Sequence, residues 1–118
     1  MRQPPSIDAY GGGGFRVSGV RHEGSLLILD DQPLLWSGVA LEALTSADLA
    51  EVLAKGPREI EFVLLGTGNV QSIPPRDFRN SLKNANIGLE FMDTPSAARV
   101  YNVLASEGRR FAAALIAI

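Results

Sequence analysis

Residues 88–118 read GLEFMDTPSAARVYNVLASEGRRFAAALIAI, and this stretch leaves little choice of fold. Leu89, Phe91 and Met92 have strand character. Thr94 followed by Pro95 signals a helix start, because a side-chain oxygen caps while proline takes the first turn without wasting a donor. Gly108 stops that helix, and residues 111–118 form a second apolar run. Strand, helix and strand follow without slack, with an Asp-Thr pair where strand becomes helix.

The same grammar extends upstream. Thr45, with Asp48 three residues on, resembles a capping box ahead of the Leu49, Val52 and Leu53 stripe, and Gly56-Pro57 ends that helix near residue 55. Residues 60–65 form an almost continuous apolar strand, the pattern of a strand covered on both faces. A second helix runs over 74–84, with Phe78 and Leu82 one turn apart. The second half is therefore β-α-β-α-β, which favours right-handed crossovers and a partly parallel sheet. In the first half, strands are expected at 15–20 and 25–29 around a His22-Glu23-Gly24 turn. Asp30, Asp31, Gln32 and Pro33 make a further turn, and a short strand covers 34–36. Pro4, Pro5 and the Gly11 to Gly14 run mark residues 1–14 as a flexible N-terminal arm. The expected architecture is a single α/β domain over 15–118: a mixed β-sheet with an N-terminal antiparallel hairpin ahead of β-α-β-α-β.

Composition narrows the chemistry. The chain has 118 residues, enough for one domain with a real core. Its net charge of −2 disfavours nucleic acid, whose phosphates need a basic surface. The absence of cysteine removes disulfides, thiolate metal sites and a cysteine nucleophile, and the single histidine, His22, leaves no histidine-based metal site or serine–histidine pair. No catalytic residue, metal site or cofactor is expected. No run reaches the roughly 20 apolar residues of a spanning helix. The first residues carry neither a secretory signal nor a mitochondrial presequence, which leads to a cytoplasmic expectation. With neither a signal nor barrel-length alternating strands, an outer-membrane relative is not expected.

Two groups of residues carry the functional possibilities. Gly66, Thr67, Gly68 and Asn69 follow a buried strand and precede a helix, which invites a phosphate-loop reading. Gln71 stands where a dinucleotide fingerprint needs its third glycine, so a turn serving backbone geometry is the simpler account. Asp93-Thr94 is either a helix cap or part of a ligand site. If the strands at 60–65 and 88–92 are parallel, the loop and Asp93-Thr94 flank one crevice at the carboxyl edge of the sheet, where open α/β sheets bind ligands and free N–H groups suit a small anion. The candidate crevice comprises Gly66, Thr67, Gly68, Asn69, Asp93, Thr94 and Asn102. The second group is Arg76, Arg79 and Lys83, on one face of the second helix. It is either a solvated face or a docking stripe for an acidic partner.

The GTG turn at Gly66-Thr67-Gly68, Glu90-Phe91-Met92-Asp93-Thr94, Tyr101-Asn102-Val103-Leu104 and Glu107-Gly108-Arg109 together resemble a family. It is that of the small α/β proteins related to a mitochondrial respiratory complex I assembly factor, with the adipogenesis-associated domain proteins as more distant relatives. The resemblance covers roughly residues 15–116. It implies a three-layer α/β fold, no established enzyme activity, and a role as an assembly or interaction protein in membrane-complex biogenesis. The partner is expected to be a membrane-associated protein, and the site of action cytoplasmic or peripheral to the inner membrane. The family helix commonly carries Ala-Cys-Arg-Thr where this chain has Ala97-Ala98-Arg99-Val100, so no role of that cysteine or threonine transfers. The missing presequence points to a bacterial member.

Overall fold

Every residue of the strand Phe62–Gly66 (β6) is buried, and alternation along it sends side chains into two different cores. Val63 and Leu65 face one side; Phe62 and Leu64 face the other. The computed structural model describes residues 3–118. The remaining elements arrange themselves around β6. They are β1 (Ile7–Gly11), β2 (Gly14–Val17), β3 (Val20–Glu23), β4 (Leu26–Leu29), β5 (Gln32–Leu35), α1 (Ala50–Lys55), α2 (Arg76–Asn84), β7 (Gly88–Met92), α3 (Thr94–Ser106) and β8 (Phe111–Leu115).

The main sheet has the order β5-β4-β8-β6-β7. β6 lies parallel to both β7 and β8, while β4 is antiparallel to β8 and to β5. The chain steps outward from β6 to β7 and then back across β6 to β8. With right-handed crossovers, that reversal puts the two connecting helices on opposite faces. Accordingly Phe78 and Leu82 of α2 join the core containing Val63 and Leu65, together with Leu49 and Val52. Ala97, Ala98, Tyr101 and Ala105 of α3 join the core containing Phe62 and Leu64. The result is the expected three-layer α/β domain with a mixed sheet.

The N-terminal half departs from expectation. The flexible arm expected over 1–14 contains a strand: β1 pairs with β2 in a separate three-stranded sheet, and Ile7 is buried on the α3 face. Met1 and Arg2 lie outside the described residues. The glycine run serves as turn rather than slack, since Gly12 and Gly13 have φ of 62° and 82°, the left-handed values that a tight two-residue hairpin needs. The hairpin expected between 15–20 and 25–29 is also displaced. Its turn lies at Ser18-Gly19, so His22 and Glu23 belong to β3, and the chain passes to the main sheet at Gly24. Gln32 and Pro33, expected in a turn, open β5 after a tight Asp30-Asp31 turn.

The helix expected over 45–55 begins as a single-turn 3-10 segment, Ser46–Leu49, and continues as α1. Its cap is the expected one. The Thr45 side chain accepts from the Ala47 N–H at 3.3 Å, and Asp48 Oδ2 accepts from the Thr45 N–H at 2.9 Å. Thr45→Ala is expected to cost about 0.5–2 kcal/mol, the usual loss at an N-cap. A urea denaturation midpoint equal to wild type would show that the cap contributes nothing to the fold.

Candidate functional site

Because β6 and β7 are parallel and in register from Phe62↔Gly88 to Gly66↔Met92, their carboxyl ends lie at the same edge of the sheet. The chain after β6 therefore meets the chain after β7, as the crevice expectation required. They meet in direct contact. The Thr67 N–H donates to Met92 O at 2.8 Å, and the Thr94 N–H donates to Gly68 O at 2.8 Å. Thr67 Oγ1 lies 2.6 Å from Val70 O and 3.1 Å from Met92 O.

Thr94 is the centre of the junction. It is fully buried, and its hydroxyl donates to Ile116 O at 2.7 Å while accepting from the Gly68 N–H at 3.0 Å. One side chain thus joins the loop after β6, the start of α3 and the chain just past β8. The Ile116 N–H returns to Gly66 O at 3.0 Å. Gly66 is required by close approach: a Cβ there would lie 2.7 Å from Leu115 Cδ2, 2.9 Å from Thr94 Oγ1 and 3.1 Å from Thr94 Cα.

The division of labour between Asp93 and Thr94 differs from the Thr-Pro signal. Asp93 is the N-cap, with Oδ1 accepting from the Ser96 N–H at 2.8 Å, and Thr94 is the first helical residue. The donors at the start of α3 are then all engaged. Thr94 N–H goes to Gly68 O, Pro95 has none, Ser96 N–H goes to Asp93 Oδ1, and Ala97 N–H goes to Asp93 O. The free N–H groups expected for a small anion are therefore taken by the protein itself. Asp93 and its neighbours form a clasp, with Asn69 and Val70 exposed beside it.

The hydrogen bond from the Ser96 backbone, assisted by the Ser96 side chain and the nearby Arg99 charge, holds the Asp93 carboxyl below its usual value of 3.8. A carboxyl depressed on folding contributes stability while it is ionised and loses that contribution as pH falls through its folded value. Asp93→Ala is therefore expected to be less stable than wild type at neutral pH, with the gap narrowing as pH drops below 3.8. Urea midpoints of both proteins across that range check this, and a pH-independent gap would refute it.

Asn102 does not join the junction. It lies eight residues past Thr94, about 12 Å along the helix, and is occupied elsewhere. Its Oδ1 accepts from the Ile7 N–H and its Nδ2 donates to Ile7 O, each at 2.9 Å. Arg76, Arg79 and Lys83 are exposed on α2, as their spacing predicts, with Arg79 Nε donating to Pro74 O at 2.9 Å. Asp77, on another flank, accepts from the Ser46 N–H at 2.7 Å.

Two concavities among the described residues are not lined by Gly66, Thr67, Asp93 or Thr94. One, of about 410 Å³, sits at the opposite edge of the sheet among Asp30, Asp31, Arg58, Glu59 and Arg110. The other, of about 250 Å³, lies between α3 and the edge strand β7, over Phe62, Leu64, Met92, Val100 and Leu104. Each draws on at least three separated segments, and only the register of the folded sheet assembles them. Among the described residues, no three His, Asp or Glu side chains converge as metal ligands, and no buried side-chain polar atom lacks a partner.

The sequence pattern of a family described as "Protein of unknown function (DUF498/DUF598)" matches residues 7–116. An uncharacterised protein of Rhodobacter capsulatus is 39% identical over 110 residues, covering 93% of this chain and 82% of that protein. NADH dehydrogenase (ubiquinone) 1 alpha subcomplex assembly factor 3 of Rattus norvegicus is 32% identical over 110 residues, covering 93% of this chain. The chain spans only 59% of that assembly factor's length. Among solved structures, one described as an outer membrane protein from Bartonella henselae superposes with a TM-score of 0.87 at 36% identity, covering 97% of this chain and 95% of that one. That relative's description runs against the expectation drawn from the sequence. No described helix here is long and apolar enough to cross a membrane.

Proposed function

The chain belongs to the DUF498/DUF598 family, and from that premise we propose that it is a non-enzymatic interaction protein assisting assembly of a membrane complex of the respiratory complex I kind. It acts at the cytoplasmic face of the inner membrane, on a membrane-associated protein partner. The observation that carries this reading is the 32% identity to a complex I assembly factor across 93% of the chain. The site geometry is consistent with it: the hydroxyls of Thr67 and Thr94 and the first N–H groups of α3 are spent on the protein's own backbone. The rival reading, a small-ligand or anion-binding crevice at Gly66, Thr67, Asp93 and Thr94, would have to do without those hydroxyls and N–H groups.

Deleting the gene in its source cell is expected to lower the amount of assembled NADH dehydrogenase on native gels of the membranes, with recovery on re-expression. Undiminished assembly would overturn the reading. The docking stripe adds a sharper expectation. Reversing charge at Arg76, Arg79 and Lys83 leaves the fold intact, since these side chains are exposed and such substitutions shift stability by only about 0.5 kcal/mol. Association with partner complex isolated from the deletion strain should slow by about tenfold at low salt, because surface charges act mainly on association rate. The deficit should shrink as salt rises. A wild-type rate at every salt concentration would leave the stripe as a solvated face.

A further inference from the structure

The main sheet has two edges, and they are not alike. β5 carries Pro33, which lacks a backbone donor, and this is one of the ways an edge is protected from pairing. β7 has no proline and no lysine. Its phase is set by two bonds: the Gly88 N–H donates to Glu61 O, and Met92 O accepts from the Thr67 N–H. In a parallel ladder alternate residues bond to the same neighbour. Gly88, Glu90 and Met92 therefore serve β6, while the N–H and C=O groups of Leu89 and Phe91 point off the sheet. Gln71 Nε2 donates to Phe91 O at 3.4 Å, a long bond that an incoming strand displaces.

The two sides of this edge differ in chemistry. On the α3 side lies a groove floored by Phe62, Leu64, Met92, Val100 and Leu104, with Glu90 and Arg109 at its wall. On the α2 side are the exposed cations Arg79 and Lys83. Asp77 turns toward the 3-10 segment, where it holds the Ser46 N–H. Arg79 is two residues on, about 200° around the helix, so it occupies the flank nearer β7. Lys83, four residues further, shares that flank. The loop that carries Gln71 adds two aliphatic side chains, Val70 and Ile73, each 70% exposed.

We infer that the free edge of β7 accepts, by strand addition, an extended segment of a partner protein whose residues alternate apolar and acidic. The apolar side chains enter the groove against α3 and the acidic ones meet Arg79 and Lys83. Strand addition obtains affinity from main-chain bonds and specificity from alternate side chains, and β7 offers both kinds of contact. A second copy of this chain fits poorly. Two β7 edges paired about a twofold axis perpendicular to the sheet bring both α2 flanks to one face, so their cations oppose each other.

This inference rests on the reading of the chain as an interaction protein and names the chemistry of its partner. The probe is a short peptide alternating leucine and glutamate, kept below its own aggregation threshold. It is compared with a leucine–lysine peptide of equal length. On titration, the Leu89 and Phe91 amide signals should shift and their hydrogen exchange should slow, with the lysine peptide binding at least about tenfold more weakly. The double variant R79E/K83E, altered only at exposed positions, should reverse the preference. Equal binding of both peptides, or binding that leaves the Leu89 amide unchanged, overturns the site even if deletion of the gene impairs assembly. Selective binding at Leu89 with undiminished assembly in the deletion strain upholds the docking edge and removes the assembly role.

Discussion

Replacing Thr94 with valine is expected to lower stability by roughly 2–6 kcal/mol, because two buried backbone groups lose their partner at once and each costs about 1–3 kcal/mol. Valine keeps the shape and the β-branch, so little packing is lost and the hydroxyl is isolated as the variable. The groups left behind are the Gly68 N–H and Ile116 O, and water cannot replace the hydroxyl at a position with no exposure. Against the 5–15 kcal/mol typical of a whole domain, such a loss is severe. Thr94→Ser is the informative control: it retains donor and acceptor and should recover most of the difference. Thermal and urea denaturation of the three proteins measure the effect. A valine variant within about 0.5 kcal/mol of wild type, the scatter of neutral surface changes, would mean that the junction relaxes to new partners.

The double duty of Thr94 also shows where the sequence was legible and where it was not. β7 was readable to its bounds, Gly88–Met92, because the glycine opens it and the Asp-Thr-Pro cap closes it within a few residues. The cap at Thr45 was readable for the same reason, since caps are local chemistry, whereas the second helix, expected from residue 74, begins at Arg76 with no side-chain cap. That Asp93 rather than Thr94 caps α3 could not be read, since Thr94's partners Gly68 and Ile116 are 26 and 22 residues away. The convergence of Gly66, Thr67, Gly68, Asp93 and Thr94 followed from strand parallelism and crossover hand. Whether the meeting was open or closed depended on side-chain fit, which no periodicity reports. The N-terminal error has another cause. A run of four glycines lowers strand propensity, yet Gly12-Gly13 is also an excellent hairpin turn, and only the pairing of Gly11 with Gly14 decides between the two. The expected strand over 15–20 ran through Ser18-Gly19, where the turn in fact lies, because a Ser-Gly pair and His22-Glu23-Gly24 are equally compatible with a turn on local chemistry alone.

That N-terminal strand is the subject of the second large effect. Asn102→Ala is expected to cost about 1–3 kcal/mol, the penalty for leaving partly buried polar groups unpaired. The loss should be confined to the attachment of β1. Asn102 presents its amide to Ile7 as a neighbouring strand would, accepting from the N–H and donating to the C=O. Ile7 itself is buried, and Tyr101 adds a bond from its hydroxyl to Pro5 O at 2.8 Å. Two adjacent residues of α3 thus hold a segment that proline and glycine would otherwise leave loose. In the alanine variant the Ile7 N–H should exchange faster than in wild type, while Val63 and Leu65 in β6 keep their protection, since local opening need not involve the central strands. Asn102→Asp keeps the acceptor for the Ile7 N–H but removes the donor to Ile7 O and sets a charged oxygen beside that carbonyl. It should therefore be no better than alanine. Unchanged exchange at Ile7 in the alanine variant would show that burial of the Ile7 side chain, rather than the Asn102 amide, anchors β1 to the domain.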